Sequence, residues 1–230
     1  MGYKLYKEAP KKGEIRGVLF DMDGIVLDTE KLYARFWREA AVALGYPMTH
    51  TQALGMRSLS RSAGQAKLES YFGKGISIDE VRVKRIELMD KFVEENGVEP
   101  KPGINELMDY LKSRGIPAAI TTSSPIARVH QYLDPLGLSE RFNCICTGYD
   151  VPKGKPEPDI YLYGAARLEL PPELCLALED SPAGVLSASR AGCKTVMIPD
   201  MDAPDKETED RLFALADCLT DIIGILEQYG

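Results

Sequence analysis

Polar side chains follow four apolar runs of this 230-residue sequence, and their types are those that chemistry on a phosphate ester requires. Such chemistry needs an oxygen nucleophile, an acid or base beside it, a hydroxyl group and a cation to hold the anion, and carboxylates to bind a metal. All of these groups are present in four short segments, which in chain order are Asp21-Met22-Asp23-Gly24, Thr121-Thr122-Ser123-Ser124, Lys155-Pro156 and Glu179-Asp180.

The first segment places two carboxylates two residues apart, in a turn that follows an apolar run. Like charges this close are costly to ionise together unless a cation or a proton lies between them. A metal can keep Asp21 ionised as a nucleophile, while Asp23 exchanges a proton with the oxygens that leave and enter. Alone, the segment is equally compatible with an acidic turn in which Gly24 has a positive φ.

Each of the other three segments also has a purely structural interpretation. Thr122 and Ser123 precede a predicted helix, where hydroxyls and backbone N–H groups can bind an anion or simply cap the helix. Prolines restrict where the Lys155 ammonium can go, although a solvated lysine in a turn is the alternative. Glu179 and Asp180 suit a hard divalent cation, or Asp180 can cap the next helix. The combination of all four segments, in this order, indicates a function.

Apolar runs alternate with helical stretches through most of the chain, which predicts an α/β fold with a doubly wound, Rossmann-like parallel sheet and helices on both faces. Ligands bind at the carboxyl ends of the strands in such sheets, and all four polar segments fall on that edge. The predicted strands cover 15–20, 116–120, 142–146, 174–178 and 194–198, and the predicted helices cover 104–113, 125–133, 158–168, 182–191 and 221–228.

The alternation stops between about residues 29 and 99, where the pattern predicts helices only. We interpret 29–99 as a small helical cap domain inserted after the first strand and its loop, which leaves 1–28 and 100–230 as the α/β core domain. A helical subdomain with no part in function is the alternative. The predicted helices of this insertion cover 30–44, 51–54, 61–72 and 78–95.

Composition limits the partners and the compartment. With 44% hydrophobic and 27% charged residues, the chain is ordinary globular protein. Its net charge of −7 argues against a broad surface for nucleic acid. No secretory signal and no run long enough to span a membrane is found, so we expect a cytoplasmic protein that binds no membrane. Because a capped site that is complete on one chain can work alone, we expect a monomer. The five cysteines are an odd number without a paired framework, and we expect them to be reduced.

Taken together, the four segments resemble the motifs of the haloacid dehalogenase superfamily of phosphohydrolases, and the likeness runs from about Gly17 to the C-terminus. The helical insertion is similar to that family's cap of the first type. The resemblance implies a Mg²⁺-dependent phosphatase that acts on a small phosphorylated metabolite, such as a sugar phosphate or nucleotide, through an aspartyl-phosphate intermediate.

The resemblance also implies a role for each motif residue. Asp21 is the nucleophile and Asp23 the general acid and base. The remaining implied roles are phosphate binding by Met22, Thr122, Ser123 and Lys155, and magnesium binding by Asp21, the backbone carbonyl of Asp23, Asp180 and, directly or through water, Glu179.

Within the superfamily, three segments are similar to the branch that contains β-phosphoglucomutase and pseudouridine-5′-phosphatase-like enzymes. They are Asp28-Thr29-Glu30, Lys155-Pro156-Glu157-Pro158-Asp159 and Glu179-Asp180-Ser181-Pro182-Ala183-Gly184. A cap histidine of the mutase corresponds to Tyr33 here, and its phosphate-binding cap arginine to Ser58, next to Arg57. Both departures favour a phosphatase over a mutase. Tyr33 and Arg57 are the candidate substrate-binding residues of the cap, with a half-buried helix residue and a solvated loop charge as the respective alternatives.

Three other functions would require a different set of residues. A dehalogenase does not need the acid Asp23, and a protein that only binds needs neither a cap nor Lys155. A phosphonate hydrolase needs a cap lysine for a Schiff base, for which the chain offers Lys67, Lys74, Lys84 and Lys91.

Overall fold

The computed structural model describes residues 2–8, 11–57, 59, 61–201 and 203–230. Contacts divide the chain into two compact units. The sheet unit is formed by Met1–Leu27 together with Pro100–Gly230, and the helical unit by Asp28–Glu99.

The sheet unit is built on a seven-stranded sheet with the strand order β1-β7-β6-β5-β2-β3-β4. Neighbouring strands are parallel except for β1 and β7, which are antiparallel, so the predicted α/β fold class is confirmed. The strands are β1 (Tyr3–Leu5), β2 (Gly17–Phe20), β3 (Ala118–Thr122), β4 (Cys144–Thr147), β5 (Cys175–Glu179), β6 (Lys194–Met197) and β7 (Ala214–Ala216).

Two of these strands, β1 and β7, were not predicted. Each has three residues, too few to show a pattern, and they pair with one another at the edge of the sheet. Between β6 and β7 a short helix begins at Lys206, and its N-cap is Asp205, whose carboxylate accepts from the Thr208 N–H at 2.8 Å.

Three adjacent strands of the sheet, β5, β2 and β3, are buried at every position. Strands of a parallel sheet covered by helices on both faces read as continuous apolar runs for this reason. Phe20 pairs with Ile120 on one side and with Leu178 on the other, so the residues that follow these positions emerge at one edge of the sheet. The helices of this unit are α5 (Ile104–Arg114), α6 (Ile126–Leu133), α7 (Asp159–Arg167), α8 (Pro182–Arg190), α9 (Lys206–Glu209) and α10 (Leu219–Tyr229).

The helical unit has a hydrophobic core of its own, in which Trp37, Met56 and Leu68 are buried. Thr49 and Gln52 form a reciprocal capping box at the start of its short second helix, which fixes where that helix begins. The helices of this unit are α1 (Glu30–Ala43), α2 (His50–Leu54), α3 (Arg61–Phe72) and α4 (Ile78–Asn96).

Two further findings concern the whole described chain. None of its helices combines the length and the apolar character that crossing a membrane requires. The cysteines are free thiols, as predicted, and Cys218 is exposed while the other four are buried in the sheet unit.

Candidate active site

Asp21 stands directly after β2, and its backbone N–H donates to the Leu178 carbonyl of β5 at 3.0 Å. The chain then turns back at once, because the Val26 N–H donates to the Met22 carbonyl at 2.9 Å. The Asp21 side chain is only 12% exposed. The local turn therefore holds a nearly buried carboxylate at the carboxyl end of a central strand.

Gly24, in the same turn, has a φ of +83° and lies against the carboxylate of Asp180. A Cβ atom at Gly24 would be 2.2 Å from Oδ2 of Asp180, a distance that no side chain permits. Glycine is required here both for the positive φ and for this close approach. The turn after β2 and the residue after β5 are thereby brought into contact.

The Lys155 ammonium lies between two carboxylates of the sheet edge. Its Nζ is 2.6 Å from Oδ1 of Asp21 and 2.5 Å from Oε1 of Glu179, and its side chain is 8% exposed. The same Nζ lies 5.1 Å from the centre of the Tyr161 ring. The motif lysine is thus fixed in position by contacts with residues from β5, α7 and the turn after β2.

Glu179, the last residue of β5, is completely buried, and protein donors surround its carboxylate. Oε1 accepts hydrogen bonds from Lys155 and from the Tyr161 hydroxyl, and Oε2 accepts one from the Ser181 hydroxyl at 3.3 Å. A Cβ atom at Gly184 would lie 1.9 Å from Cδ of Glu179, so helix α8 packs directly on this carboxylate.

The edge of the sheet has the donor set and the charge that suit a divalent cation. Asp21, Glu179 and Asp180 each offer a carboxylate oxygen, and these oxygens lie within 4.8 Å of one another. Oxygen ligands of this kind suit Mg²⁺. The Lys155 ammonium pairs with two of these carboxylates, Asp21 and Glu179, so the group carries a net charge of about −2 when all four side chains are ionised.

The pKa values reflect this shortage of positive charge. The pKa of Asp21 is raised from 3.8 to about 8, chiefly by burial and in addition by repulsion from Glu179 and Asp23, against the attraction of Lys155. Burial by itself lowers the pKa of Lys155, but attraction by Asp21 and Glu179 outweighs it and leaves that pKa well above its ordinary value. A cation that binds Asp21 must therefore compete with a proton.

Removal of metal is expected to make the stability of the protein depend on pH through Asp21. The folded state holds this proton more tightly than the unfolded chain does, so the contribution of Asp21 to stability is full below about pH 4 and is lost as the pH rises through about 8. In EDTA the melting temperature should therefore fall between about pH 5 and about pH 8. Added Mg²⁺ should raise the melting temperature more at the upper end of this range.

Differential scanning calorimetry across that range, with EDTA or with Mg²⁺, measures this effect. The Asp21→Asn variant is the control, because it lacks the titrating group and should lose the part of the pH dependence that Asp21 causes. An equal effect of Mg²⁺ at both ends of the range would contradict the assignment.

A second set of contacts surrounds Asp23. The Ser124 hydroxyl donates to Oδ2 of Asp23 at 3.1 Å, and the Ser124 N–H donates to the hydroxyl oxygen of Thr122 at 3.0 Å. Thr122 is completely buried, whereas its neighbour Ser123 is exposed. The segment after β3 is therefore tied to the turn after β2 through Ser124, a residue that was not among the predicted site residues.

Tyr33 and Arg57 belong to the helical unit. Tyr33 is half-buried on α1, and the Arg85 guanidinium lies 4.9 Å from the centre of its ring. The side chain of Arg57 is only 7% exposed; its Nε donates to the Leu54 carbonyl at 3.0 Å, and its Nη1 is 3.5 Å from a carboxylate oxygen of Glu30. Arg57 is therefore not a solvated loop charge. The neighbouring Ser58 lies outside the described residues.

The four lysines that could serve a phosphonate hydrolase are also in the helical unit. None of the four is buried, and Lys84 forms an ion pair with Glu87 at 2.9 Å. A lysine that forms a Schiff base needs a pKa lowered by burial or by a neighbouring cation. Their surroundings therefore give no support to that alternative. The four are Lys67, Lys74, Lys84 and Lys91.

Known proteins match this chain along most of its length. The profile of the haloacid dehalogenase-like hydrolase family matches residues 15–192. Phosphorylated carbohydrates phosphatase of Thermotoga maritima is 32% identical over 182 residues, which are 79% of this chain and 84% of that protein. Hexitol phosphatase A of Escherichia coli is 34% identical over 191 residues, 80% of this chain and 82% of that protein. The crystal structure of CbbY from Rhodobacter sphaeroides in complex with phosphate has a TM-score of 0.74 at 26% identity, and the match covers 93% of this chain and 99% of that chain.

Proposed function

We propose that this chain, which belongs to the haloacid dehalogenase-like hydrolase family, is a Mg²⁺-dependent phosphatase of small sugar phosphates. The predicted enzyme class, a phosphoric monoester hydrolase, is confirmed by the phosphatases among its relatives. The observation that carries the proposal is the contact of Lys155 with Asp21 at the edge where Asp180 also lies. The names of the two relatives favour a phosphorylated carbohydrate over a nucleotide as the substrate.

In the first step, an oxygen of Asp21 attacks phosphorus and displaces the alcohol oxygen of the ester on the opposite side. The Asp21–phosphorus bond forms as the ester bond breaks, and Asp23 gives its proton to the leaving alcohol. In the second step, Asp23 takes a proton from water, and the water oxygen attacks phosphorus as the bond between Asp21 and phosphorus breaks. Phosphate is released and Asp21 is regenerated.

The residues around Asp21 hold the phosphoryl oxygens in this proposal. Lys155 provides a fixed positive charge, and the Ser123 N–H adds a backbone donor. The oxygen of the Thr122 hydroxyl accepts from the Ser124 N–H, so its proton can be donated to a phosphoryl oxygen. Met22, which is fully buried, contributes through the backbone of the turn.

Asp21, Asp180 and the backbone carbonyl of Asp23 are the residues that would hold Mg²⁺. Glu179, whose carboxylate is surrounded by protein donors, would reach the ion through water. When bound, the ion supplies positive charge that offsets the charge of the transferring phosphoryl group and of Asp21.

Replacing Ser124 by alanine is expected to lower kcat by about tenfold, because Asp23 loses a hydrogen bond to a charged group that is worth about 1.5 kcal/mol. KM should change little, since Ser124 orients the acid and does not hold the phosphate. Steady-state kinetics on a sugar phosphate measure both constants. Ser113→Ala, which removes an exposed hydroxyl on α5, is the matched control. A Ser124→Ala enzyme with unchanged kcat would remove Ser124 from the mechanism.

A phosphate-release screen tests the proposed function directly. Purified protein is incubated with a panel of sugar phosphates and mononucleotides, with Mg²⁺ or with EDTA. We expect inorganic phosphate from sugar phosphates only when Mg²⁺ is present. Absence of release from every ester with Mg²⁺ present would refute the proposal and favour a protein that only binds.

A sugar phosphomutase is the second candidate, and the resemblance to the β-phosphoglucomutase branch is its basis. Incubation with β-glucose 1-phosphate and a trace of a glucose bisphosphate separates the two. Accumulation of glucose 6-phosphate would show a mutase, whereas inorganic phosphate would show a phosphatase. Tyr33 stands where the mutase has its cap histidine, and we therefore expect phosphate.

A further inference from the structure

Tyr161 lies outside the four polar segments, yet it contacts two of them. Its side chain is completely buried on α7, its hydroxyl donates to Oε1 of Glu179, and its ring faces the Lys155 ammonium. We propose that Tyr161 is a positioning residue, which holds Glu179 and, through it, the Lys155 ammonium where phosphate must bind. This inference deepens the proposed function and rests on it.

Packing alone explains the ring of Tyr161 but not its hydroxyl. The ring belongs to the core cluster that includes Leu19, Ala119 and Ile160, where a phenylalanine would fill almost the same space. Burying a hydroxyl group is costly unless it finds a hydrogen-bond partner. Here the partner is the carboxylate that also binds Lys155, so the hydroxyl acts on the charged group and not only on the core.

Lys155 needs an anchor that is independent of Asp21. In the structure its ammonium binds Asp21 and Glu179 together, but a phosphate that approaches Asp21 must share this ammonium. The contact with Glu179 then determines where the ammonium stays. A residue that fixes Glu179 therefore fixes the cation that binds phosphate.

The carboxylate of Glu179 is held from three directions. Tyr161 donates to Oε1, Ser181 donates to Oε2, and Gly184 lies so close that a Cβ atom there would overlap the carboxylate carbon. Of these contacts, the one from Tyr161 acts on the same oxygen that binds Lys155. Without the Tyr161 hydroxyl, Oε1 would lose one of its two hydrogen bonds and would bind the Lys155 ammonium more strongly. Lys155 would then be drawn towards Glu179 and away from the phosphate position.

The test is the Tyr161→Phe variant, which keeps the ring and removes the hydroxyl. We expect two constants to rise about tenfold. One is the dissociation constant of inorganic phosphate, measured by calorimetry with Mg²⁺ present, and the other is the KM for a sugar phosphate. The Mg²⁺ concentration for half-maximal activity should stay within about twofold, because in this proposal Tyr161 acts through Lys155. A merely structural tyrosine would lower the melting temperature without selectively weakening phosphate binding.

Tyr163→Phe is the matched control, because it makes the same change on the same helix at a hydroxyl whose partner, Arg167, is exposed. It should bind phosphate as the wild type does. If Tyr161→Phe does not fold, Gly184→Ala tests the same point from the other side of Glu179, since its Cβ must displace that carboxylate. We expect the same weakening of phosphate binding.

Phosphate affinity equal to that of the wild type, in a folded Tyr161→Phe or Gly184→Ala protein, would overturn the inference. This failure is distinct from failure of the proposed function. A wild type that binds phosphate but hydrolyses no ester would refute the phosphatase, while the calorimetric comparison would still support or overturn the role of Tyr161.

Discussion

The Asp21→Asn variant is expected to release no measurable phosphate from any ester, with kcat lowered by at least about a thousandfold. An amide cannot form the acyl phosphate, and no other carboxylate can replace it, because attack requires an oxygen at the end of β2 in line with the ester bond. Asparagine has nearly the same shape, so it fits the space against Lys155. The same phosphate-release assay measures the effect.

Two comparisons keep this prediction specific. Asp109→Asn makes the same change at an exposed carboxylate on α5 that binds Arg141, and it should leave kcat unchanged. Removal of a buried carboxylate whose pKa is raised should also make the metal-free Asp21→Asn protein at least as stable as the wild type near neutral pH. Turnover retained in a folded Asp21→Asn protein would reject Asp21 as the nucleophile.

Replacing Lys155 by methionine is expected to lower kcat/KM by about 10²–10³-fold, the range observed when a fixed donor to a developing negative charge is removed. Methionine keeps an unbranched side chain of similar length, so the space is filled while the charge is lost. Asp21 and Glu179 would then face one another without the ammonium that separates them. We expect the metal-free protein to lose about 3 kcal/mol of stability, because removing one partner leaves buried charge uncompensated.

Steady-state kinetics and urea unfolding in EDTA measure these two effects. Lys153→Met is the matched control, because this lysine is exposed and only two residues away, and its loss should change neither quantity. Mg²⁺ should restore part of the stability of Lys155→Met, since the cation offsets charge on Asp21. Normal kcat/KM in Lys155→Met would contradict both the role of Lys155 and, with it, the role proposed for Tyr161.

The two variants separate the parts of the site. Asp21→Asn removes the attacking atom and leaves the positive charge in place, so phosphate should still bind. Lys155→Met leaves the attacking atom and weakens the binding of phosphate. Calorimetric titration with inorganic phosphate in the presence of Mg²⁺ should therefore show near-normal affinity for the first variant and reduced affinity for the second.

The amino-acid sequence determined the fold class and the four polar segments. Both follow from local patterns: apolar runs that end in polar residues mark buried strands, and the carboxyl ends of parallel strands lie on one edge whatever the details of packing. The sequence therefore predicts that Asp21, Lys155 and Asp180 lie together at one edge of the sheet. The interruption by helices between about residues 29 and 99 is likewise visible, because a change from strand to helix periodicity is a property of the sequence itself.

Only the tertiary structure decided which side chains support these residues. Tyr161 looks like an ordinary core position of α7, and Ser124 is one of four adjacent hydroxyl residues, so nothing local distinguishes either. Their partners lie 18 residues away for Tyr161 and 101 residues away for Ser124. The burial of Arg57 and the edge strand β1 also depend on distant partners. A hydrogen bond between residues far apart in the chain depends on the packing of whole elements, which no local pattern of residues specifies.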